Sequence, residues 1–259
     1  MRVVFWNILH GGGSRRIPEI TLALLGWSAD VIVLCEYRTT MGGQLRGVLG
    51  DHGWEHQACT EPPEGRNGVL VASRRGIESM AEVAPGSQRL VGVRVECGLE
   101  VLGVHVPPLE AEDGEAQVVW SQLLEAARRG AAGRTLVVGD LNAGRRWQDE
   151  AGISGNRRLF REPPGVRRVG SEAMGRLWLM GYRDVWRELA GAANGEGDDG
   201  GASGTRGDPP GNRREFTWFS HEGRGVRIDH ALASGALWPR VRGAWYEHEV
   251  SERGVSDHA

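Results

Sequence analysis

The chain has 259 residues and a formal net charge of −3, a size near the upper limit for one hydrophobic core, which buries roughly 70–75% of the unfolded surface. A single domain over 1–259 is therefore expected, and the charge argues against a sequence-independent binder of polyanions, which carries a basic surplus or stripe. All 31 basic residues are Arg and none is Lys, which rules out a lysine Schiff base and the phosphate-contacting lysine of a Walker A loop.

The 40 Gly beside those Arg look like the coding bias of a GC-rich genome, so an isolated Arg carries little functional weight. Met1-Arg2-Val3-Val4-Phe5-Trp6 runs straight into an apolar strand and leaves no room for a secretory leader. No apolar run approaches the ~20 residues of a membrane span. Cys35, Cys59 and Cys97 are an odd count, with Cys35 and Cys97 in apolar strand-like runs. That pattern suits the reduced thiols of a cytoplasmic protein rather than a disulfide framework.

In chain order, Val3 to Trp6 reads as a strand, Ile17 to Gly26 as a helix, and Val31 to Cys35 as a buried strand ending at Glu36. Val69 to Ser73, Leu90 to Glu96 and Leu99 to Val106 follow with short, turn-like connections, a partly antiparallel series. Gln117 to Arg129 has apolar positions at helical spacing, and Leu136 to Val138 is a strand stopped by Gly139-Asp140. Gly144 to Gly175 is Arg-rich and irregular, with a short helix around Arg176 to Met180 before Asp184-Val185-Trp186-Arg187. Gly191 to Arg214, nearly free of large apolar residues, reads as a mobile loop (191–214) rather than a domain boundary, because strand-like sequence resumes at Phe216. The alternation predicts a layered α/β protein.

Two apparent motifs fail. Gly195, Gly197 and Gly200 match a dinucleotide fingerprint by spacing but have no strand before them or helix after. His10-Gly11-Gly12-Gly13 is similar to a lipase oxyanion loop, yet no Ser sits in a nucleophile elbow. The glycines instead let the first loop pass close to a site.

Polar groups recur just past predicted strands: Asn7, Glu36, His105, Asp140, Asn142, Asp229, Asp257 and His258. In α/β folds strand ends converge on one rim, where ligands bind. Glu36 directly follows a continuous apolar run, where a carboxylate must reach solvent or find a cation. Asp140 and Asn142 alternate, so both can face one pocket, although the same residues also suit a turn. Asn7 also suits a cap or turn. Asp229, between Ile228 and Ala231-Leu232-Ala233, needs a partner, and His258 is the candidate.

The ordered set Trp6-Asn7, Cys35-Glu36, Gly139-Asp140-Leu141-Asn142, Arg227-Ile228-Asp229-His230 and Ser256-Asp257-His258 resembles the endonuclease/exonuclease/phosphatase superfamily. Phe216-Thr217-Trp218-Phe219-Ser220 and Asp184-Val185-Trp186-Arg187 are most similar to its exonuclease III-like branch. The resemblance covers Val3 to His258. It implies a DNase I-like, four-layer α/β/β/α sandwich with two mixed, mostly antiparallel sheets and the site at one end. It also implies Glu36 as principal metal ligand, with Asn7 and Asp257 nearby, and Asp140 orienting or deprotonating the attacking water. Asn142 would hold phosphate oxygens, Asp229 and His258 would set a charged imidazole on the phosphate, and His105, Trp218 and Arg227 would face substrate. Hard oxygen ligands favour Mg²⁺ or Mn²⁺.

The implied activity is a divalent-metal-dependent phosphoesterase, with DNA as leading substrate and a monomer as the working unit. The alternatives are a phosphatase or phosphodiesterase acting on a small phosphoester (nucleotide, sugar phosphate or lipid headgroup), or a relative that binds phosphate without turnover. Abasic-site enzymes usually carry Tyr where this chain has His105, whereas phosphodiesterases of the DNase I and sphingomyelinase kind carry His. Only ten residues separate Trp218 from Asp229, too few for a long DNA-inserting loop. The Arg-rich stretch from Arg145 to Arg168 reads as a solvated loop. Relatives continue into one more strand past Ser256-Asp257-His258, so a missing final strand and a poorly held Asp257 and His258 are expected.

Overall fold

The computed structural model describes residues 1–108, 114–143, 150–151, 166–189, 216–219 and 225–259. The expected loop 191–214 and most of the Arg-rich stretch lie outside the described residues. The strands are β1 (Val3–Asn7), β2 (Val31–Tyr37), β3 (His56–Cys59), β4 (Gly68–Ser73), β5 (Ile77–Ser79), β6 (Leu90–Val95), β7 (Glu100–His105), β8 (Thr135–Asp140), β9 (Glu150–Ala151), β10 (Arg183–Asp184), β11 (Trp218–Phe219), β12 (Gly225–Val226) and β13 (Asp229–Ala233). The main helices are α1 (Gly13–Gly26), α2 (Thr39–Asp51), α3 (Glu115–Gly130) and α4 (Val166–Leu179).

One sheet has the order β1-β2-β4-β3 and the other β10-β13-β8-β7-β6-β5, with a small ribbon β11-β12-β9 beside them. The β1/β2 and β7/β8 pairs are parallel and the rest antiparallel. Successive strand residues point to opposite faces, and the sequence uses this to build three apolar layers. Val31, Val33 and Cys35 of β2 meet Val93, Val101 and Val138 between the sheets. Ile32 and Leu34 face the other way, onto Ile17, Ile20 and Leu24 of α1 and Leu45 and Leu49 of α2. Leu102, Val104 and Val137 pack on α3 and α4 through Trp120, Leu123 and Leu177. A strand buried on both faces reads as a continuous apolar run, as Val31 to Cys35 does. Each such side chain contributes about 1.5–3 kcal/mol on burial. This is the expected four-layer sandwich.

Two glycines set spacings. A Cβ on Gly103 would meet Val33 Cγ1 at 2.8 Å, so its absence lets the sheets approach. A Cβ on Gly139 would meet the Val104 carbonyl oxygen at 1.8 Å, so β8 can lie beside β7 only with glycine here.

Several elements depart from the reading. Helix α2 was not expected because Gly42, Gly43, Gly47 and Gly50 break its apolar pattern; Leu45 and Leu49 anchor it. Gly42 lies where a Cβ would meet Tyr37 Oη at 2.1 Å, so the glycine is required by packing. Helix α4 starts at Val166, inside the stretch read as irregular, and buries Ala173, Met174 and Leu177. Cys97 is exposed in the turn between β6 and β7 rather than within a strand, and all three thiols are free. Among the described residues no helix is long and apolar enough to cross a membrane.

Candidate active site

Strand register places the site. His105 on β7 lies beside Asp140 on β8, and Asp140 lies opposite Asp229 on β13, so three titratable groups sit at one level of the larger sheet. On the smaller sheet, Asn7 ends β1 beside Cys35. The next residue, Glu36, is a bulge: Cys35 pairs with Val69 and Tyr37 with Gly68, leaving Glu36 extra, at φ 59°. A left-handed non-glycine at such a position is strained and needs surrounding structure to hold it.

That structure is the first loop. Leu9, His10, Gly11, Gly12 and Gly13 all have positive φ, between 51° and 77°. The turn brings the His10 N–H onto Glu36 Oε2 at 2.6 Å and the His10 ring Nδ1 to 2.7 Å from the same oxygen. The glycines thus do bring the loop onto the site, but sequence reasoning missed His10 as its payload.

Asn7 joins the two sheets. Its Nδ2 donates to Glu36 Oε1 at 3.4 Å and to Asp140 Oδ2 at 3.1 Å, while its Oδ1 accepts the Leu9 N–H at 3.1 Å. It is a clasp between carboxylates, with its oxygen turned away from them.

Asp140 is 2% exposed. Two imidazoles flank its Oδ2, His105 Nε2 at 3.9 Å and His258 Nε2 at 4.0 Å. They are held oppositely. His258 Nδ1 donates to Asp229 Oδ2 at 2.8 Å. Burial opposes its charge, but Asp229 overcomes this and lifts its pKa to about 10. His105 Nδ1 lies 3.0 Å from Arg89 Nη1. Burial and then the Arg89 charge push its pKa down to about 3, so it is neutral. Burial, with repulsion from Asp229, raises Asp140 to about 7, opposed by His258 and by N–H bonds from Asn142 and Asn7.

The terminus is not loose. His258 is 5% exposed and bridges to Trp218; Ala259 N donates to the Thr217 carbonyl at 2.8 Å, and Ser256 Oγ to the Asn7 carbonyl at 2.6 Å. These bonds correct the expected fraying of Asp257 and His258. Trp218 Nε1 donates to Asp257 Oδ2 at 3.1 Å, so Trp218 orients Asp257.

Asn142, at φ 44°, uses one amide hydrogen on the Val106 carbonyl at 2.8 Å. Arg227 departs from the expected substrate contact. It is 1% exposed and forks onto Asp184 at 2.6 and 3.1 Å, beneath the site rather than in it. Burial would raise the Asp184 pKa, but His230, 3.7 Å away, and the Arg227 fork hold it well below the carboxylate range. This base supports Asp229: Tyr246 Oη, 3.4 Å from Arg227, donates to the Asp229 carbonyl at 3.2 Å, and Thr217 Oγ1 accepts the Asp229 N–H at 3.1 Å. The motif around Asp184 gave the signal for this pair; its buried partner was not legible.

The site suits a hard cation. Glu36 and Asp140, drawn together by one amide, concentrate negative charge, and Asp229 Oδ1 is buried with no hydrogen-bond partner. Asp140, Asp229 and His258 also offer atoms within 4.8 Å of one another. A protonated His258 repels a cation, however, so these three form a carboxylate–imidazole relay and Glu36 is the better anchor.

No curated protein sequence matches the chain. Among solved structures it is similar to a 3′ phosphatase, NExo, from Neisseria bound to a product DNA hairpin, with TM-score 0.72 and 20% identity over 100% of this chain and 96% of that one. It is also similar to an AP endonuclease from Archaeoglobus fulgidus, with TM-score 0.71 and 16% identity over 100% and 96%. Residues 4–258 match one family along their whole extent, and the chain belongs to the Endonuclease/Exonuclease/phosphatase family.

Proposed function

We infer that the protein is a metal-dependent phosphoester hydrolase acting on DNA, with Mg²⁺ or Mn²⁺ held at Glu36 and assisted by Asp257, while the Asn7 amide clasps the two carboxylates. The observation that carries this is the meeting of Glu36 and Asp140, from separate sheets, through the Asn7 amide, with His258 held on Asp229 alongside.

Phosphoester hydrolysis needs a water aimed at phosphorus and positive groups on oxygens that gain charge. Asp140, once deprotonated, accepts a proton from the attacking water. Its raised pKa makes it a stronger base than an ordinary carboxylate. His258, charged through Asp229, faces the phosphate oxygens. The second amide hydrogen of Asn142 and the Nε2–H of His105 add neutral donors. A bound divalent cation would supply Lewis-acid stabilisation of the same charge.

DNA is favoured because one similar structure is a 3′ phosphatase bound to a product DNA hairpin and another is an AP endonuclease. A small phosphoester is the second reading, favoured by His105 and by the net charge of −3. Hydrolysis of bis(p-nitrophenyl) phosphate in Mg²⁺ with increasing bulk DNA separates them. Strong competition supports DNA; turnover indifferent to DNA, with no DNA cleaved, supports the small ester.

A further inference from the structure

His105 is backed by a polar chain that the reaction above does not use. Arg89, just before β6 and 7% exposed, donates from Nη1 to His105 Nδ1 at 3.0 Å. Its Nε and Nη2 are held by Glu115 of α3 at 2.6 and 3.3 Å. Its carbonyl also accepts the His105 N–H at 2.8 Å, so ring and backbone are fixed from one residue.

A guanidinium has five donors and no acceptor. His105 Nδ1 must therefore be the bare, accepting nitrogen, and the ring hydrogen sits on Nε2. That nitrogen faces Asp140 Oδ2 at 3.9 Å, too far for a hydrogen bond, so Asp140 does not consume the N–H. His258 has the reverse arrangement, because its Nδ1 donates to a carboxylate. A carboxylate in the place of Arg89 would turn His105 over and favour its charged form.

We propose that Arg89, braced by Glu115, is a positioning residue that locks His105 as the Nε2–H tautomer, making it a fixed donor to a phosphate oxygen and not a proton-transfer group. The role of that donor rests on the phosphoesterase reading; the tautomer does not. The charged or titratable groups facing His105 are Arg89, Glu115 from α3, Asp140 from β8, His258 near the terminus and His10 from the first loop. One imidazolium and one neutral donor then serve the two sides of Asp140.

The test is ¹⁵N-histidine NMR of the metal-free protein in EDTA, from about pH 5 to 8, the range in which an ordinary imidazole titrates. His105 is expected to show bare Nδ1 and protonated Nε2 throughout. R89M, which removes the donor, is expected to release the tautomer, and R89K, which keeps one N–H, to restore it. In turnover, R89M should lose about 10–100-fold in kcat, as outer partners of site histidines typically do, and add no loss to H105A. Protonated Nδ1 in the wild type, or an unchanged His105 signature in folded R89M, overturns the proposal. Should R89M fail to fold, the wild-type and R89K spectra still decide it. A protein silent on every phosphoester but with the expected tautomers refutes the functional reading and supports the Arg89 device.

Discussion

Replacing Asp229 by Asn isolates the charge on His258 while preserving shape. In the wild type His258 stays protonated to about pH 10 because Asp229 Oδ2 accepts its Nδ1–H at 2.8 Å against the pull of burial. Asn removes the charge but leaves the burial, so the imidazole falls to or below its ordinary value of about 6.5. At pH 8 the protonated fraction then drops from nearly all to about 3% or less, a loss of at least roughly 30-fold from protonation alone. Each further unit of depression adds tenfold, so a total of about 10²–10³ is expected, within the range for one acid–base group. The assay is kcat/KM against pH on an abasic DNA duplex at saturating metal. The wild-type profile should show its alkaline fall near pH 10, beyond an acid limb near pH 7 from Asp140; in D229N the alkaline fall should move to or below neutrality. An unshifted fall, or a loss under about tenfold at pH 8, would refute the reasoning, because it would mean that the charge on His258 is not used.

Three further outcomes follow from the packing and the charges. R227A strips the buried Asp184 of its two guanidinium hydrogen bonds, leaving the Arg187 N–H and the more distant His230 and Arg187 side chains, and should lose about 3 kcal/mol in urea unfolding, whereas an Arg227 held only for substrate would cost little stability. G139A drives a Cβ into the Val104 carbonyl; since backbone cannot swing aside, the variant should lose more than about 4 kcal/mol or fail to fold, in the class of severe strain. The His258 contribution to stability has its sign set by a folded pKa raised from 6.5 to about 10: it is fully present below about pH 6.5 and lost as pH rises to about 10. Asp140, raised to about 7, adds loss between about pH 4 and 7, because the folded state prefers its protonated form. Thermal midpoints of the metal-free protein should therefore fall across alkaline pH, and H258Q should flatten that fall.

The site was legible where chemistry and strand ends coincide. Asp140, Asp229, Glu36 and His105 flank or end apolar runs, and register alone brings three of them to one level; His258 was legible as the partner that Asp229 needs. Illegible were contacts that only folding creates. Nothing near Arg89 marks it as the partner of a histidine on the neighbouring strand, and Arg227, read as a substrate contact, is consumed by Asp184. The Asn7 side chain was expected near a metal, yet its oxygen is turned to Leu9. In the fold, α2 escaped because its glycines serve packing against Tyr37 and erase helical periodicity. The start of α4 was hidden by Arg167 and Arg168, whose charge resembles the irregular stretch before it.

The central claim is that Asp140 drives hydrolysis in a metal-dependent site organised around Glu36. The most direct measurement is cleavage of abasic and nicked DNA duplexes and of bis(p-nitrophenyl) phosphate, in Mg²⁺, Mn²⁺ or EDTA, by wild type, E36A and D140N. The account predicts metal-dependent DNA cleavage abolished by EDTA and cut by about 10²–10⁴ in D140N, the loss typical of a general base, with E36A recovering only at raised metal. Full turnover by D140N, or cleavage that survives EDTA, would contradict it.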